Sequence, residues 1–251
     1  MIRINNLSVA ARLLPLSLTM NQGEVLHVIG PNGSGKSTFL SAIAGLLPFQ
    51  GDVQYANLDV RNSSIESLAG VRAFLSQSDR PAFNLIVAQY LALSVPKQAA
   101  KNRSAIDDAV AELAQLLDLS DKLHRPIHHL SGGEWQRVRL VAICLQIWPT
   151  LNSSARVLIL DEPAAPLDIG QESLLYQLIQ RVAQKGISVV MSNHDLNRTL
   201  RHADSVILLD KGVLQQHGTP DEVLTEAQLS AVFHTKVTRS LVNDKPVLVF
   251  D

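Results

Sequence analysis

An α/β fold with a mostly parallel sheet, N-terminal antiparallel strands and an inserted helical subdomain is what this sequence predicts, on three observations. Apolar runs at 157–160, 187–191 and 205–209 are nearly uninterrupted, as in strands buried on both faces of a parallel sheet. The segment Leu16-Ser17-Leu18-Thr19-Met20 instead alternates, as a half-buried strand does, and Asn21-Gln22-Gly23-Glu24 follows as a turn. From 77 to about 150 the period lengthens to three and four residues. The expected division is a core of 1–76 and 151–230, a helical subdomain of 77–150, and a tail of 231–251.

The elements follow in order. Val25-Leu26-His27-Val28-Ile29 reads as a buried strand and 38–44 as the helix after it. A break at 48–51 precedes strands at 52–55 and 71–76. Ile106, Val110, Leu113, Leu116 and Leu117 mark one helix, with Ser104 and Asp107 matching a capping box at its start. A second, largely buried helix covers 137–148 and is expected to begin near Trp135. Beyond a polar turn at Asn152-Ser153-Ser154, strands alternate with a helix over 171–184. Thr219-Pro220-Asp221-Glu222 combines a cap, a first-turn proline and a closing acid, the signature of a helix start. The tail, 236–251, suits a short hairpin.

Composition narrows the function. The 251 residues carry a formal net charge of −1, with 46% hydrophobic and 18% charged residues, which suits one well-packed domain and offers no basic stripe for nucleic acid. The single cysteine, Cys144, lies among apolar residues, so no disulfide framework is expected and a reducing compartment is. The N-terminus shows no signal-peptide core, and no apolar run approaches the ~18 residues of a membrane span. Any link to a membrane is expected to pass through another protein.

The nine residues Gly30-Pro31-Asn32-Gly33-Ser34-Gly35-Lys36-Ser37-Thr38 fit G-x-x-x-x-G-K-[ST] between a buried strand and a helix, the context this phosphate-binding loop requires. Gly30, Gly33 and Gly35 let the backbone curl and turn its N–H groups inward, toward a nucleotide's phosphates at the helix N-terminus. Lys36 adds a point charge, and the Ser37 hydroxyl is a hard oxygen ligand for Mg²⁺. The strand at 157–160 ends in Asp161-Glu162. Asp161 suits the Mg²⁺ site, through a metal-bound water, and Glu162 suits accepting a proton from the attacking water or holding it in line. Leu130-Ser131-Gly132-Gly133-Glu134 precedes a helix and offers a second anion site.

With these motifs in order the chain resembles the ATP-binding cassette (ABC) family over about 2–229. LSGGE at 130–134 with Gln136 and Arg137 carries the likeness, together with Gln77 after a strand, Leu167-Asp168 of the D-loop, and His194 in Met191-Ser192-Asn193-His194-Asp195. The resemblance implies a P-loop NTPase core and two ATP molecules held between head-to-tail copies. LSGGE of one copy then meets the γ-phosphate on the other's loop, with Ser131 donating its hydroxyl and Gly132 and Gly133 their N–H groups. It also implies that His194 contacts the γ-phosphate and fixes the water and Glu162, and that Gln77 senses metal and γ-phosphate.

Two departures stand out. No aromatic precedes the loop to stack on adenine, so Arg12 is the candidate for that place, and Pro166 stands in the D-loop. Within the family, LSGGEWQRVRL at 130–140, SNHDLNRTLRHAD at 192–204 and Arg12-Leu13-Leu14-Pro15-Leu16-Ser17 resemble the ATPase subunits of bacterial cobalamin importers. Haem or iron–siderophore importers are the second reading, and a soluble non-transport ABC ATPase is a third, of another class. The implied partners are a second copy, two membrane-spanning permease subunits docking near 81–85 around Phe83, and, indirectly, a periplasmic binding protein. The implied place is the cytoplasmic face of the bacterial inner membrane.

Overall fold

A computed structural model describes residues 1–76, 81–82 and 84–251 of the chain. The expectations attached to Gln77 and Phe83 lie outside the described residues. The chain opens with β1 (Ile2–Val9), β2 (Leu13–Met20) and β3 (Val25–Ile29), then α1 (Lys36–Ile43), β4 (Gln50–Tyr55), β5 (Leu58–Asp59), α2 (Ile65–Val71) and β6 (Arg72–Leu75). Three helices follow, α3 (Val87–Ala92), α4 (Arg103–Leu116) and α5 (Gly132–Ile147). The chain then alternates through β7 (Val157–Leu160), α6 (Ile169–Gln184), β8 (Ser188–Ser192), α7 (Leu196–His202), β9 (Ser205–Asp210) and β10 (Val213–Gly218). It closes with α8 (Pro220–Val223), α9 (Glu226–Phe233), β11 (Val237–Val242) and β12 (Lys245–Phe250).

The main sheet has the order β10-β9-β3-β8-β7-β6, parallel throughout except for the β10 edge. A second sheet, β2-β1-β4-β5, is antiparallel. Alternation along β7 shows why its run is purely apolar. Val157 and Ile159 face a cluster with α1 and the antiparallel sheet, while Leu158 and Leu160 face α5 and α6 on the other side. In a parallel sheet the loops at the strands' C-terminal ends gather at one edge, where ligands bind. Here those ends are Ile29, Leu160 and Ser192.

Several local expectations change. Helix α4 is capped by Asn102, whose Oδ1 accepts the Ala105 N–H at 3.2 Å, so the start lies upstream of the expected Ser104–Asp107 box. Both residues can cap, but only Asn102 has the non-helical backbone a cap needs; Ser104 is already inside the first turn. Helix α5 begins at Gly132 rather than near Trp135, because Ser131 and Glu134 form a reciprocal capping box. Helix α2 was not expected: it is short and buries only Leu68, too little for a helical period to register. Asn152 of the polar turn is buried, its amide donating to Gly70 and Gln146 carbonyls at 3.0 and 2.9 Å. The tail hairpin is present, and Val237 and Leu248 join the cluster of Ile29, Val206 and Leu208. Cys144 is fully buried, which pushes its thiol up to about 12 and leaves it inert.

Candidate nucleotide site

The phosphate loop is shaped by its glycines. Gly30, Gly33 and Gly35 have φ of 147°, 78° and 105°, all in the region that side chains avoid. A Cβ on Gly30 would collide with the Leu209 carbonyl oxygen, so the close approach to β9 also demands glycine there. Lys36 folds back over the loop and donates from Nζ to the Gly30 and Pro31 carbonyls at 2.8 and 3.0 Å. Burial holds its ammonium below the ordinary lysine range, while Glu162 and Asp161 oppose that shift.

Around the loop lies a cleft of about 550 Å³, lined by residues 32–38 with Ala11, Arg12, Glu162, Lys211 and Gly212. Arg12 is thus among the residues that line the cleft. Lys211 and Gly212 were missed. They form the β9–β10 turn, with φ of 48° and 78°, and the Gly212 N–H donates to the Ser34 carbonyl at 3.0 Å. The Lys-Gly pair between two strands is a readable turn signal. Its contact with a loop nearly two hundred residues earlier is not.

At the end of β7, Asp161 and Glu162 are organised by a residue the sequence did not single out. Ser192 Oγ donates to Asp161 Oδ1 at 2.7 Å and accepts the Glu162 N–H at 2.7 Å. Glu162 has φ of 48°, a left-handed conformation rare for this residue type and one that recurs where side chains are aimed at a reacting centre. Its Oε1 lies 2.6 Å from His194 Nε2. The glutamate and histidine, 32 residues apart, are therefore one pair, of which Glu162 lines the cleft.

The loop at 130–134 is elsewhere. The Glu134 N–H donates to Ser131 Oγ at 3.1 Å and the Ser131 N–H donates to Glu134 Oε2 at 2.8 Å. That backbone bond, with Lys122 nearby, holds the Glu134 carboxyl below its ordinary value. Leu130 is buried as the loop's apolar anchor. A Cβ on Gly132 would meet open space, whereas one on Gly133 would collide with the Gln171 amide of α6. Among the described residues, none of 130–134 lines the phosphate-loop cleft. Asp168 caps α6 by accepting the Gln171 N–H at 2.8 Å, so the loop at 130–134 and the Asp168 segment meet through Gln171. Pro166 sits inside the turn closed by the Leu167 N–H on the Ala164 carbonyl at 2.8 Å, where a proline's missing N–H costs no bond of the turn. Gln136 Nε2 donates to the Pro163 carbonyl at 2.8 Å and ties α5 to the segment after Glu162.

Comparison with known proteins completes the picture. The family model described as ABC transporter matches residues 13–165. The chain belongs to the ABC transporter family. Among its relatives in this family, the vitamin B12 import ATP-binding protein BtuD of Vibrio cholerae serotype O1 is 59% identical, over 100% of both chains. The protein of the same name from Photobacterium profundum is 50% identical, covering 98% of this chain and 97% of the relative. Among solved structures, MJ1267 in its ADP conformation, an ATP-binding cassette of an ABC transporter, has a TM-score of 0.76 at 24% identity, covering 93% of this chain and 98% of the other. That likeness speaks to fold alone. The separation of 130–134 from the cleft is the notable geometric fact: no residue of that loop lines it.

One buried group behind the site carries a pH prediction. His27 is fully buried on β3, and burial, helped by His202, pushes its pKa from 6.5 down to about 3. The unfolded chain takes up this proton near 6.5, and the folded chain does so only near 3. Stability is therefore fully present above about 6.5 and falls by ~1.4 kcal/mol per pH unit below it, through the window down to about 3. His202 shifts in the same direction and adds to the slope. Urea midpoints from pH 6.5 to 5.0 should decline in the wild type and less steeply in His27→Phe. Equal slopes would show that His27 is not the group concerned.

Proposed function

We propose that this chain is the ATP-hydrolysing subunit of a vitamin B12 importer. It works as a dimer with membrane-spanning permease subunits. The observation that supports this most is the full-length identity to proteins named for vitamin B12 import, together with a cleft formed by the phosphate loop and Glu162, with Glu162 bonded to His194 and tied to Asp161 through Ser192. Among the described residues no helix is long and apolar enough to cross a membrane, so attachment runs through the permease, at the cytoplasmic face of the inner membrane.

ATP enters with its phosphates in the nest of 30–38 and its adenine toward Arg12. Lys36 neutralises charge on the β- and γ-phosphates, and the N–H groups at the start of α1 hold the β-phosphate. Ser37, Asp161 and Gln77 would hold Mg²⁺, whose part when bound is to neutralise charge on the phosphate oxygens. Ser37 and Asp161 supply hard oxygen donors, and Ser192 fixes the Asp161 carboxylate, which suits that ion. Glu162 orients the attacking water or takes its proton, and His194, already against Glu162, aligns it with the γ-phosphate. Ser131, Gly132 and Gly133 of a second copy complete the site, with Leu130 and Glu134 shaping that loop and Asp168 at the junction of the copies. Open space at Gly132 and the distance of the loop from its own cleft favour such a shared site.

The substrate is tested by reconstituting the chain with its permease and binding protein in vesicles and following radiolabelled cobalamin. ATP-dependent cobalamin uptake is expected. Uptake of haem or a ferric siderophore, with none of cobalamin, would overturn the substrate assignment and leave the ATPase reading standing. ATP hydrolysis with no permease partner at all would favour a soluble ABC ATPase.

A further inference from the structure

His194 is exposed, yet the residues on either side of it are pinned by a buried polar network. Asn193 is buried, and its side chain bonds in both directions. Oδ1 accepts the Asp195 N–H at 3.1 Å, across His194. Nδ2 donates to Tyr176 Oη at 3.0 Å and to Thr199 Oγ1 at 3.2 Å. Thr199 Oγ1 in turn donates to the Asp195 carbonyl at 3.1 Å and lies 3.0 Å from His27 Nδ1.

A hydroxyl has one proton and two acceptor sites. With its proton on Asp195 and Asn193 donating to it, Thr199 Oγ1 has one acceptor site left. His27 Nδ1, 3.0 Å from Thr199 Oγ1 and 3.5 Å from Asn193 Nδ2, completes the set, with its donor or acceptor role set by the imidazole tautomer. Tyr176 is itself held from the far side, stacked on His202 at 4.2 Å between ring centroids. The network thus joins β3, which leads directly into the phosphate loop, to α6, α7 and the end of β8. Asn193 is buried in it, whereas the side chains of His194 and Asp195 are exposed.

We propose that Asn193 and Thr199, braced by His27 and Tyr176, are positioning residues that set where the His194 imidazole stands relative to Glu162 and the phosphate loop. This rests on the reading of His194 given above. Because β3 and the segment 193–195 share the Thr199 hydroxyl, displacing that hydroxyl frees the backbone on both sides of His194 while leaving the nucleotide contacts of 30–38 in place.

The test is steady-state ATP hydrolysis by the full chain, with the active fraction set by nucleotide-binding stoichiometry. Thr199→Val keeps the side chain's volume and removes its hydroxyl. A loss of about tenfold or more in kcat with KM for ATP nearly unchanged is expected, since small misplacements of a reacting group have effects of that size. Thr199→Ser should retain wild-type kcat, and Tyr176→Phe, which removes the hydroxyl that accepts from Asn193 and leaves Thr199 in place, should show a smaller loss. In a His194→Ala background, Thr199→Val should cause no further loss in the residual rate, because both changes act through one group. A Thr199→Val enzyme with wild-type kcat, or an equal fold-loss with and without His194, would overturn the proposal. Wild-type hydrolysis by His194→Ala alone would instead remove the role of His194 and is read separately.

Discussion

Glu162→Gln is expected to leave ATP binding intact and to slow hydrolysis by roughly 10²–10⁴-fold. The substitution keeps the side chain's size and its ability to accept a hydrogen bond, but removes the negative charge that draws the water's proton. The geometry favours so large an effect. Glu162 is held by its own left-handed backbone, by the Ser192 hydroxyl on its N–H and by His194 at 2.6 Å, so its carboxylate has one defined place. Binding should survive because the proposed phosphate contacts come from residues 30–38 rather than from Glu162. Two copies should therefore accumulate as a closed pair with ATP between them, visible as a dimer by light scattering in ATP and a monomer without it. Hydrolysis within a fewfold of wild type would take Glu162 out of the chemical step.

The second large effect concerns the shared site. Lys36→Ala removes a charged contact to the phosphates, and charge-assisted hydrogen bonds contribute about 1.5–3 kcal/mol each, so nucleotide affinity should fall by roughly one to two orders of magnitude. It also strips the Gly30 and Pro31 carbonyls of their donor, so some loss of stability should accompany it. Ser131→Arg should leave the affinity of a single chain for ATP nearly unchanged, because Ser131 does not line that chain's own cleft. It should nonetheless abolish ATP-dependent pairing and hydrolysis, by placing a long side chain and losing a helix cap where the proposed shared site puts the partner's phosphate. Mixing the two variants separates head-to-tail pairing from other arrangements. In a mixed pair one site carries both lesions and the other carries neither, so ATP-dependent closure should reappear. A sensitive assay that finds no mixed pair would count against the shared site.

The sequence by itself determined the kind of sheet, the phosphate loop and the identity of the polar residues around it. These are local signals: a run of apolar residues, three glycines at fixed spacing before Lys36, an acid pair at a strand end. Each is set by chemistry within one turn or one strand, which is why it can be read without knowing the neighbours. The Thr219–Glu222 cap and the tail hairpin were legible for the same reason. Where two residues of similar chemistry competed locally, as Asn102 and Ser104 did for the cap of α4, the pattern could not choose, and backbone conformation did.

Only the tertiary structure decided which distant residues meet. Ser192 became the link between Asp161 and Glu162 because β7 and β8 are adjacent and in register, with Leu160 opposite Met191. Lys211 and Gly212 reached the cleft because β9 runs beside β3 and its turn falls against Ser34. His27 looked like one more member of a buried strand, and became the partner of Thr199 because α7 packs over that strand. In each case the energy that selects the contact, burial of a continuous apolar sheet face, belongs to residues other than those in contact. A serine, a glycine turn and a histidine carry no local mark of the partners that such packing will bring to them.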